Sequence, residues 1–184
     1  MSRQNNTLDT REHLLDVGIE VLQKKGFSGV GLAEILSQAG VPKGSFYYYF
    51  DSKVAFAQAI LSHYFHRYLA RMHAILGEQG GRERVLSYLD AWRAREIHGG
   101  GCLVVKLSAE LAGMSDDLRK VLNTGASHIT ARLAQALDMP DEQAQACAQT
   151  LYCLWLGASL AYRITQNDQV FDLAYAQAQQ LLVP

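Results

Sequence analysis

The segment of residues 41–50, VPKGSFYYYF, restricts the possible folds of this chain more than any other segment. The proline disfavours the right-handed helical conformation at Val41 and fixes φ for a first helical turn, so a short helix is predicted to begin at Pro42. Phe46 and Phe50 are four positions apart and therefore share one face of this helix. The opposite face carries small and phenolic side chains, an unusual combination for simple packing, at Gly44, Ser45, Tyr47 and Tyr48.

A second short helix is predicted immediately upstream, over residues 32–39, because its apolar residues fall on one stripe. Gly40 suits a left-handed C-cap, and a short turn then leads into the helix that begins at Pro42. Two helices joined in this way form a helix-turn-helix, whose second helix enters the major groove of DNA. Small residues allow a close approach of the backbone, tyrosine hydroxyls bond to phosphate oxygens, and lysines add positive charge. The predicted DNA-binding residues are Lys43, Gly44, Ser45, Tyr47, Tyr48 and Lys53.

The tyrosines also permit a different interpretation, in which their helix is docked in a core and binds no nucleic acid. Short helix-turn-helix patterns have a high false-positive rate. Charge does not decide between the two interpretations, because the formal net charge is −1 and residues 1–53 contain equal numbers of basic and acidic side chains. The prediction of DNA binding therefore rests on the placement of individual residues.

The opening of the chain resembles the DNA-binding domain of the TetR family of bacterial repressors. The resemblance implies an all-α protein with an N-terminal three-helix, helix-turn-helix DNA-binding domain at residues 1–53 and a C-terminal helical ligand-binding and dimerisation domain at residues 54–184. It also implies a repressor without enzymatic activity or cofactor, which binds double-stranded operator DNA as a homodimer and is released by an inducer. The motifs that carry the resemblance are Thr10-Arg11-Glu12, Gly26-Phe27, Gly44-Ser45-Phe46-Tyr47-Tyr48-Tyr49-Phe50 and Asp51-Ser52-Lys53.

Further helices are predicted from apolar residues at helical spacing along the rest of the chain. The first is expected to be capped by Asp9 or Thr10, and the long fourth helix by Ser52. The last two are predicted at about 141–165 and 168–182, and in the TetR family the last two long helices of each subunit form a four-helix dimer bundle. The remaining helices are predicted at about 53–76, 82–97, from 102 onward, and 115–137.

Membrane segments and metal sites are not predicted. No apolar run reaches about 18 residues, and the polar N-terminus lacks the apolar stretch of a signal peptide. We therefore expect a cytoplasmic protein that does not bind membranes. The three cysteines show no zinc-like spacing with the histidines, and their odd number argues against a disulfide framework. We expect reduced thiols.

Cys102 is the cysteine with the most suggestive position. It falls at the first turn of a predicted helix, where unpaired N–H groups and the helix dipole favour a thiolate, and Lys106 lies one turn further on the same face. The simpler interpretation is a small buried apolar residue after a flexible loop. Arg163 faces either a pocket or solvent, and near Cys102 it would favour the thiolate. Trp92 and Trp155 are candidate pocket residues, although aromatic residues at helical spacing usually belong to a core.

Three segments around this cysteine are similar to a TetR subgroup that answers reactive electrophiles and oxidants. In that subgroup a cysteine at the position of Cys102 is the sensor, which implies an electrophile as inducer. The segments are Gly101-Cys102-Leu103, Val105-Lys106-Leu107-Ser108-Ala109-Glu110 and Leu154-Trp155-Leu156-Gly157-Ala158.

Two other classes of function remain open from the sequence. One is a helical, thiol-dependent enzyme that uses Cys102, although only His98 is close and no histidine and acid follow at a recognisable spacing. The other is an interaction module that binds partner helices through its alanine-rich C-terminal half.

Overall fold

The computed structural model of the protein describes residues 3–183, with side chains described from Thr10 onward. Within these residues the secondary structure consists of nine α-helices and no strand, which confirms the predicted all-α class. The helices are α1 (Arg3–Lys25), α2 (Leu32–Ala39), α3 (Lys43–Tyr49), α4 (Lys53–Leu76), α5 (Arg82–His98), α6 (Leu103–Met114), α7 (Asp116–Gln135), α8 (Asp141–Thr165) and α9 (Gln169–Leu181).

The chain forms two compact units. The first contains the described residues up to His66 together with Lys106–Asn123, and the second contains Arg67–Val105 and the residues from Thr124 onward. The predicted division into residues 1–53 and 54–184 is a statement about function and stays a prediction. In the part of the chain that is described, the helices are all too short or too polar to cross a membrane.

The start of α1 differs from the prediction. The helix already begins at Arg3, so the expectation that Asp9 or Thr10 caps its N-terminus is wrong. The residues before Thr10 include arginine and glutamine, whose helical propensity is high, and no proline or glycine interrupts them. The side chain of Asp9 lies outside the described residues. The buried stripe of α1 comprises Leu14, Leu15, Val21 and Leu22.

The helix-turn-helix forms as the sequence predicts, with one shift at its second helix. Gly40 adopts φ 64° and its N–H donates to the carbonyl oxygen of Ser37 at 3.3 Å, while the N–H of Val41 donates to that of Leu36 at 3.0 Å, so Gly40 is the left-handed C-cap of α2. Helix α3 begins at Lys43 rather than at Pro42. The proline has the expected φ of −60°, but its ψ of 144° is extended, which makes it the N-cap residue.

Aromatic packing anchors α3 to α4. Phe46 and Phe50 are both buried, as expected from their shared face. Their ring centroids lie 5.3 Å and 4.7 Å from that of Phe56 in α4. Each fully buried phenylalanine contributes about 1.5–3 kcal/mol through the hydrophobic effect. Ser52 caps α4 as predicted, because its Oγ accepts the N–H of Ala55 at 3.0 Å.

The second unit is built around α5, α8 and α9. Trp155 of α8 is fully buried and donates its indole N–H to the carbonyl oxygen of Leu89 in α5 at 3.2 Å. Gly80 lies against α7 so closely that a Cβ there would be 2.5 Å from the carbonyl oxygen of Ala136. The adjacent N–H of Gly81 donates to the same oxygen at 2.7 Å. Glycine is therefore required where the α4–α5 loop meets the end of α7.

Candidate nucleic-acid interface and cysteine site

The face of α3 opposite its phenylalanines is open to solvent. Tyr47 is 57% and Tyr48 is 75% exposed, so the alternative in which these two tyrosines pack in the core of the subunit is wrong. Lys43 and Gly44 are also exposed, and Ser45 is half-buried. We call this set the tyrosine face: Lys43, Gly44, Ser45, Tyr47 and Tyr48.

The geometry of the tyrosine face follows from the core beneath it. The ring of Tyr47 meets the ring of Phe46 edge-on, with centroids 5.3 Å apart, and Tyr48 meets Tyr49 in the same way at 5.1 Å. These contacts restrict the two exposed rings while leaving their hydroxyls in solvent. No atom lies within 4 Å of a Cβ built on Gly44, so the backbone is open to an approaching molecule at this point. The arrangement suits hydroxyl contacts to phosphate oxygens.

Lys53 has partners within its own subunit. Its ammonium donates to the carbonyl oxygen of Val30 at 3.0 Å and lies 4.5 Å from the centroid of the Phe27 ring. The lysine therefore stabilises the loop between α1 and α2 through a hydrogen bond and a cation–π contact. A contact between Lys53 and a phosphate stays a prediction.

Cys102 is buried and lies immediately before α6, one position earlier than the predicted first turn. Its backbone N–H donates to Oε1 of Glu96 at 2.7 Å. Its carbonyl oxygen accepts a hydrogen bond from Nη2 of Arg163 at 3.4 Å. The same nitrogen of Arg163 is 3.8 Å from Oε2 of Glu96, whose side chain is almost completely buried. An acid and a base therefore hold the backbone of Cys102 from both sides.

Of the two alternatives for Arg163, the structure places its guanidinium against the protein interior. The sequence analysis did not identify Glu96, although it supplies the central carboxylate of this cluster. Its one local signal is the spacing of four residues from Trp92, whose indole N–H donates to Oε1 of Glu96 at 3.3 Å. Its partners at Cys102 and in α8 follow from tertiary packing and leave no periodic pattern.

Lys106 bonds to the end of α1. Its ammonium donates to the carbonyl oxygens of Gln23 and Lys24, the latter at 3.1 Å. Both carbonyls belong to the last turn of α1, where the helix dipole favours a cation. Its predicted influence on the thiol of Cys102 stays a prediction.

The candidate pocket residues Trp92 and Trp155 are both buried, and both indole N–H groups have hydrogen-bond partners. Trp92 lies in an aromatic cluster in which the hydroxyls of Tyr68 and Tyr88 are 2.5 Å apart. Burial raises the pKa of Tyr88 well above its usual range, and the hydrogen bond between Tyr88 and Tyr68 opposes this only in part. The phenol is therefore neutral at physiological pH, and the cluster has the character of a core.

Within residues 10–183, the cysteines and acids show neither a disulfide nor a metal site. Cys102 and Cys147 are buried and Cys153 is exposed. Among residues 10–183 no group of three or more histidine, cysteine, aspartate or glutamate side chains is arranged to hold a metal ion.

An exposed tyrosine helix in a helix-turn-helix, joined to a larger helical unit, defines the class of DNA-binding transcriptional regulators. The profile of the bacterial regulatory proteins of the tetR family matches residues 14–60, and that of the tetracyclin repressor-like C-terminal domain matches residues 81–178. The chain belongs to the TetR family, and it is a transcriptional regulator rather than an enzyme.

Two repressors illustrate the similarity over nearly the whole chain. The HTH-type transcriptional repressor NemR of Escherichia coli is 40% identical over 95% of this chain and 94% of NemR. The HTH-type transcriptional repressor DhaR of a Mycobacterium species is 28% identical over 95% of this chain and 92% of DhaR. The crystal structure of the reduced form of E. coli NemR matches with a TM-score of 0.87 at 40% identity, covering 95% of this chain and 97% of that one.

Proposed function

We propose that the protein is a homodimeric repressor that acts in the cytoplasm and places α3 of each subunit in the major groove of a palindromic operator. The single observation that carries the proposal is the exposure of Tyr47 and Tyr48 on a helix anchored from beneath by Phe46. Lys43 adds positive charge at the start of the helix, and Gly44 and Ser45 leave room for the DNA backbone. The two copies of α3 in a dimer are related by a two-fold axis, which matches the symmetry of a palindromic DNA sequence.

The proposed dimer surface is the exposed apolar side of α8 and α9. On α8, Leu160 is 52% and Ile164 is 75% exposed, and on α9 Leu173 is 71% exposed. The first two are four positions apart and share one helical face. Large apolar side chains at this level of exposure favour burial against a second copy of the same helices. A dimer formed through this surface contains two tyrosine faces, as a two-fold symmetric operator requires.

The proposed inducer is a small molecule or an electrophile that modifies Cys102. The two hydrogen bonds to the backbone of Cys102, from Arg163 and to Glu96, tie its position to α8 and α5. Cys102 is only 3% exposed, so a group added to its sulfur displaces the side chains around it. Such a movement favours a conformation in which the spacing of the two α3 helices no longer matches the operator half-sites, and operator affinity falls.

A fluorescence-anisotropy titration with DNA from upstream of the protein's own gene tests DNA binding. Wild-type protein should bind and be competed poorly by unrelated DNA, whereas Lys43→Ala should bind more weakly and show a smaller dependence on salt. Lys120→Ala is the matched control, because Lys120 is an exposed lysine of α7 whose partner is Asp117. Equal weakening by both variants would contradict the placement of the interface on α3.

The sensor is tested by treating Cys102→Ser and Cys153→Ser with iodoacetamide before the titration. The thiol displaces iodide, its proton passes to solvent, and a carbamidomethyl group remains on sulfur. Cys153→Ser should lose operator affinity on treatment as wild type does, and Cys102→Ser should not. A full response from Cys102→Ser would refute the assignment of Cys102.

A further inference from the structure

The loop between α1 and α2, residues 26–31, depends on other elements for its hydrogen bonds. Gly26 adopts φ 78°, and a Cβ on Gly29 would lie 2.7 Å from the carbonyl oxygen of Lys25, so the turn is tight at both positions. Its own backbone bonds are the N–H of Gly26 to Leu22 and a long bond of 3.5 Å from Val30 to Phe27. The backbone N–H groups of Phe27 and Ser28, in the middle of the loop, bond to acceptors outside it.

Glu110 of α6 supplies both acceptors. Oε2 accepts the backbone N–H of Phe27 at 3.1 Å, and Oε1 accepts that of Ser28 at 2.5 Å. Burial raises the pKa of Glu110, but the hydrogen bonds from Ser28 and Phe27 and the nearby charge of Lys53 outweigh it, and the net shift is downward. The carboxylate is thus ionised at neutral pH and bound at both oxygens.

Lys106 holds the other side of the same junction. It lies one helical turn before Glu110 in α6, and its ammonium donates to the carbonyls of Gln23 and Lys24 at the end of α1. One face of α6 therefore carries a donor for the last carbonyls of α1 and an acceptor for the first N–H groups after it. Lys53 adds its bond to Val30 at the end of the loop.

We propose that Lys106 and Glu110 form a latch that keeps α2 and α3 in the DNA-binding position, and that opening this latch is how a change at Cys102 lowers operator affinity. The proposal rests on the proposed function of Cys102. Helix α6 runs without interruption from Leu103 to Met114, and Cys102 is the residue directly before it. Because a helix moves nearly as a rigid rod, a displacement of its first turn shifts both latch residues together.

The latch is sensitive to small movements for a geometric reason. Hydrogen bonds to a carboxylate weaken steeply with distance and angle, and both oxygens of Glu110 are engaged at once. A shift of about 1 Å along α6 therefore lengthens several charge-assisted bonds together. The loop then loses its acceptors, and α2 and α3 are no longer held relative to α1. Lys106 and Glu110 act as positioning residues that touch neither DNA nor the inducer.

The test uses full-length protein carrying Cys153→Ser, so that iodoacetamide does not react with the exposed thiol. Operator dissociation constants are measured with and without treatment for this parent, for Glu110→Gln and for Lys106→Met. Glu83→Gln is the matched control, because Glu83 is an exposed acid of α5 whose ion-pair partner is Arg82 at 3.7 Å. Mass spectrometry of proteolytic peptides reports alkylation at Cys102 separately from Cys147, and hydrogen exchange reports the amides of Phe27 and Ser28.

The latch predicts that both variants bind untreated operator at least about fivefold more weakly than the parent, the lower end of typical coupling between sites. Iodoacetamide should then weaken their binding by a smaller factor than it does in the parent, although Cys102 is alkylated to the same extent. Exchange of the Phe27 and Ser28 amides should be faster in Glu110→Gln, and faster in the alkylated parent. Glu83→Gln should behave as the parent throughout.

The outcomes that overturn the proposal differ from those that overturn the proposed function. If iodoacetamide weakens operator binding by the same factor in the parent and in Glu110→Gln, the latch proposal is refuted and the sensor proposal stands. If alkylation of Cys102 leaves the operator affinity of the parent unchanged, both the sensor role of Cys102 and its transmission through the latch are refuted. If circular dichroism shows that Glu110→Gln is unfolded, the Lys106→Met variant tests the latch instead. The factor by which iodoacetamide weakens its operator binding is then compared with the factor for the parent.

Discussion

Glu110 of α6 accepts the backbone N–H of Ser28 at 2.5 Å, although 82 positions separate the two residues in the sequence. The part of α6 from Lys106 onward belongs to the same compact unit as the helix-turn-helix. Two backbone N–H groups at the start of the N-terminal DNA-binding motif, those of Phe27 and Ser28, therefore have their acceptors outside the motif. Its geometry depends on a carboxylate supplied from elsewhere in the chain, which gives the regulator a physical route for control.

The pH dependence of stability should report Glu110. Its folded pKa is lowered, so its contribution is fully present above the unfolded value of about 4.3 and is lost as pH falls through the lower folded value. Glu110→Gln should therefore reduce the free energy of unfolding at pH 7 by about 1.5–3 kcal/mol, a typical range for hydrogen bonds to a charged group. The difference from wild type should shrink in acid. Urea unfolding at several pH values measures it, and a difference independent of pH would contradict the assignment.

Tyr48→Ala should weaken operator binding without changing stability. The side chain is 75% exposed, so little burial is lost, whereas a phosphate contact of about 1 kcal/mol corresponds to roughly a fivefold change in affinity. Tyr48→Phe separates the hydroxyl from the ring. Anisotropy titrations and thermal melts measure both quantities. An alanine variant with a lower melting temperature and unchanged affinity would give Tyr48 a role in folding instead.

Phe46→Ala should destabilise the helix-turn-helix strongly. The ring is fully buried against Phe50 and Phe56, and truncations of this kind cost about 3–5 kcal/mol. Phe46→Leu should cost less, because it leaves a smaller cavity. Chemical denaturation gives the free energies, and an alanine variant as stable as wild type would show that α3 does not depend on this anchor.

Gly80→Ala should destabilise the second unit. The residue has φ 63°, and the added Cβ would lie 2.5 Å from the carbonyl oxygen of Ala136. This oxygen belongs to the backbone and cannot move aside as a flexible side chain could. We expect a loss of at least about 1–3 kcal/mol from the strained backbone alone. Gly113→Ala is the control, because its Cβ meets no atom within 4 Å in the last turns of α6. The control should gain up to about 1 kcal/mol in thermal or chemical unfolding.

The double substitution Leu160→Glu and Ile164→Glu should convert the proposed dimer into monomers. Both side chains are exposed in the subunit, so the change adds like charges to the dimer surface without disturbing the core. Sedimentation velocity measures the mass, and operator affinity should fall with it. Met114→Glu changes another exposed apolar residue, outside α8 and α9, and should leave the mass unchanged. A dimer that survives the double substitution would place the interface elsewhere.

The sequence predicted local features well where neighbouring residues control them. The C-cap at Gly40, the N-cap at Ser52 and the bounds of α8 depend on φ preferences, short side-chain hydrogen bonds and helical periodicity within a few residues. The same local rules, together with the family resemblance, identified α3 as a helix with one buried and one exposed face. The start of α1 was misplaced, because a favourable cap residue at Asp9 or Thr10 does not stop a helix when no proline or glycine precedes it.

By itself, therefore, the sequence determined most of the helices and the caps at Gly40 and Ser52, since these follow from interactions between close neighbours in the chain. Only the tertiary structure decided the partners of the charged groups. Glu96 with Cys102 and Arg163, Glu110 with Phe27 and Ser28, and Lys53 with Val30 are paired by the packing of distant helices. The local sequence does not show which distant group a charged side chain will pair with. The pairing becomes necessary only when folding buries the two groups together.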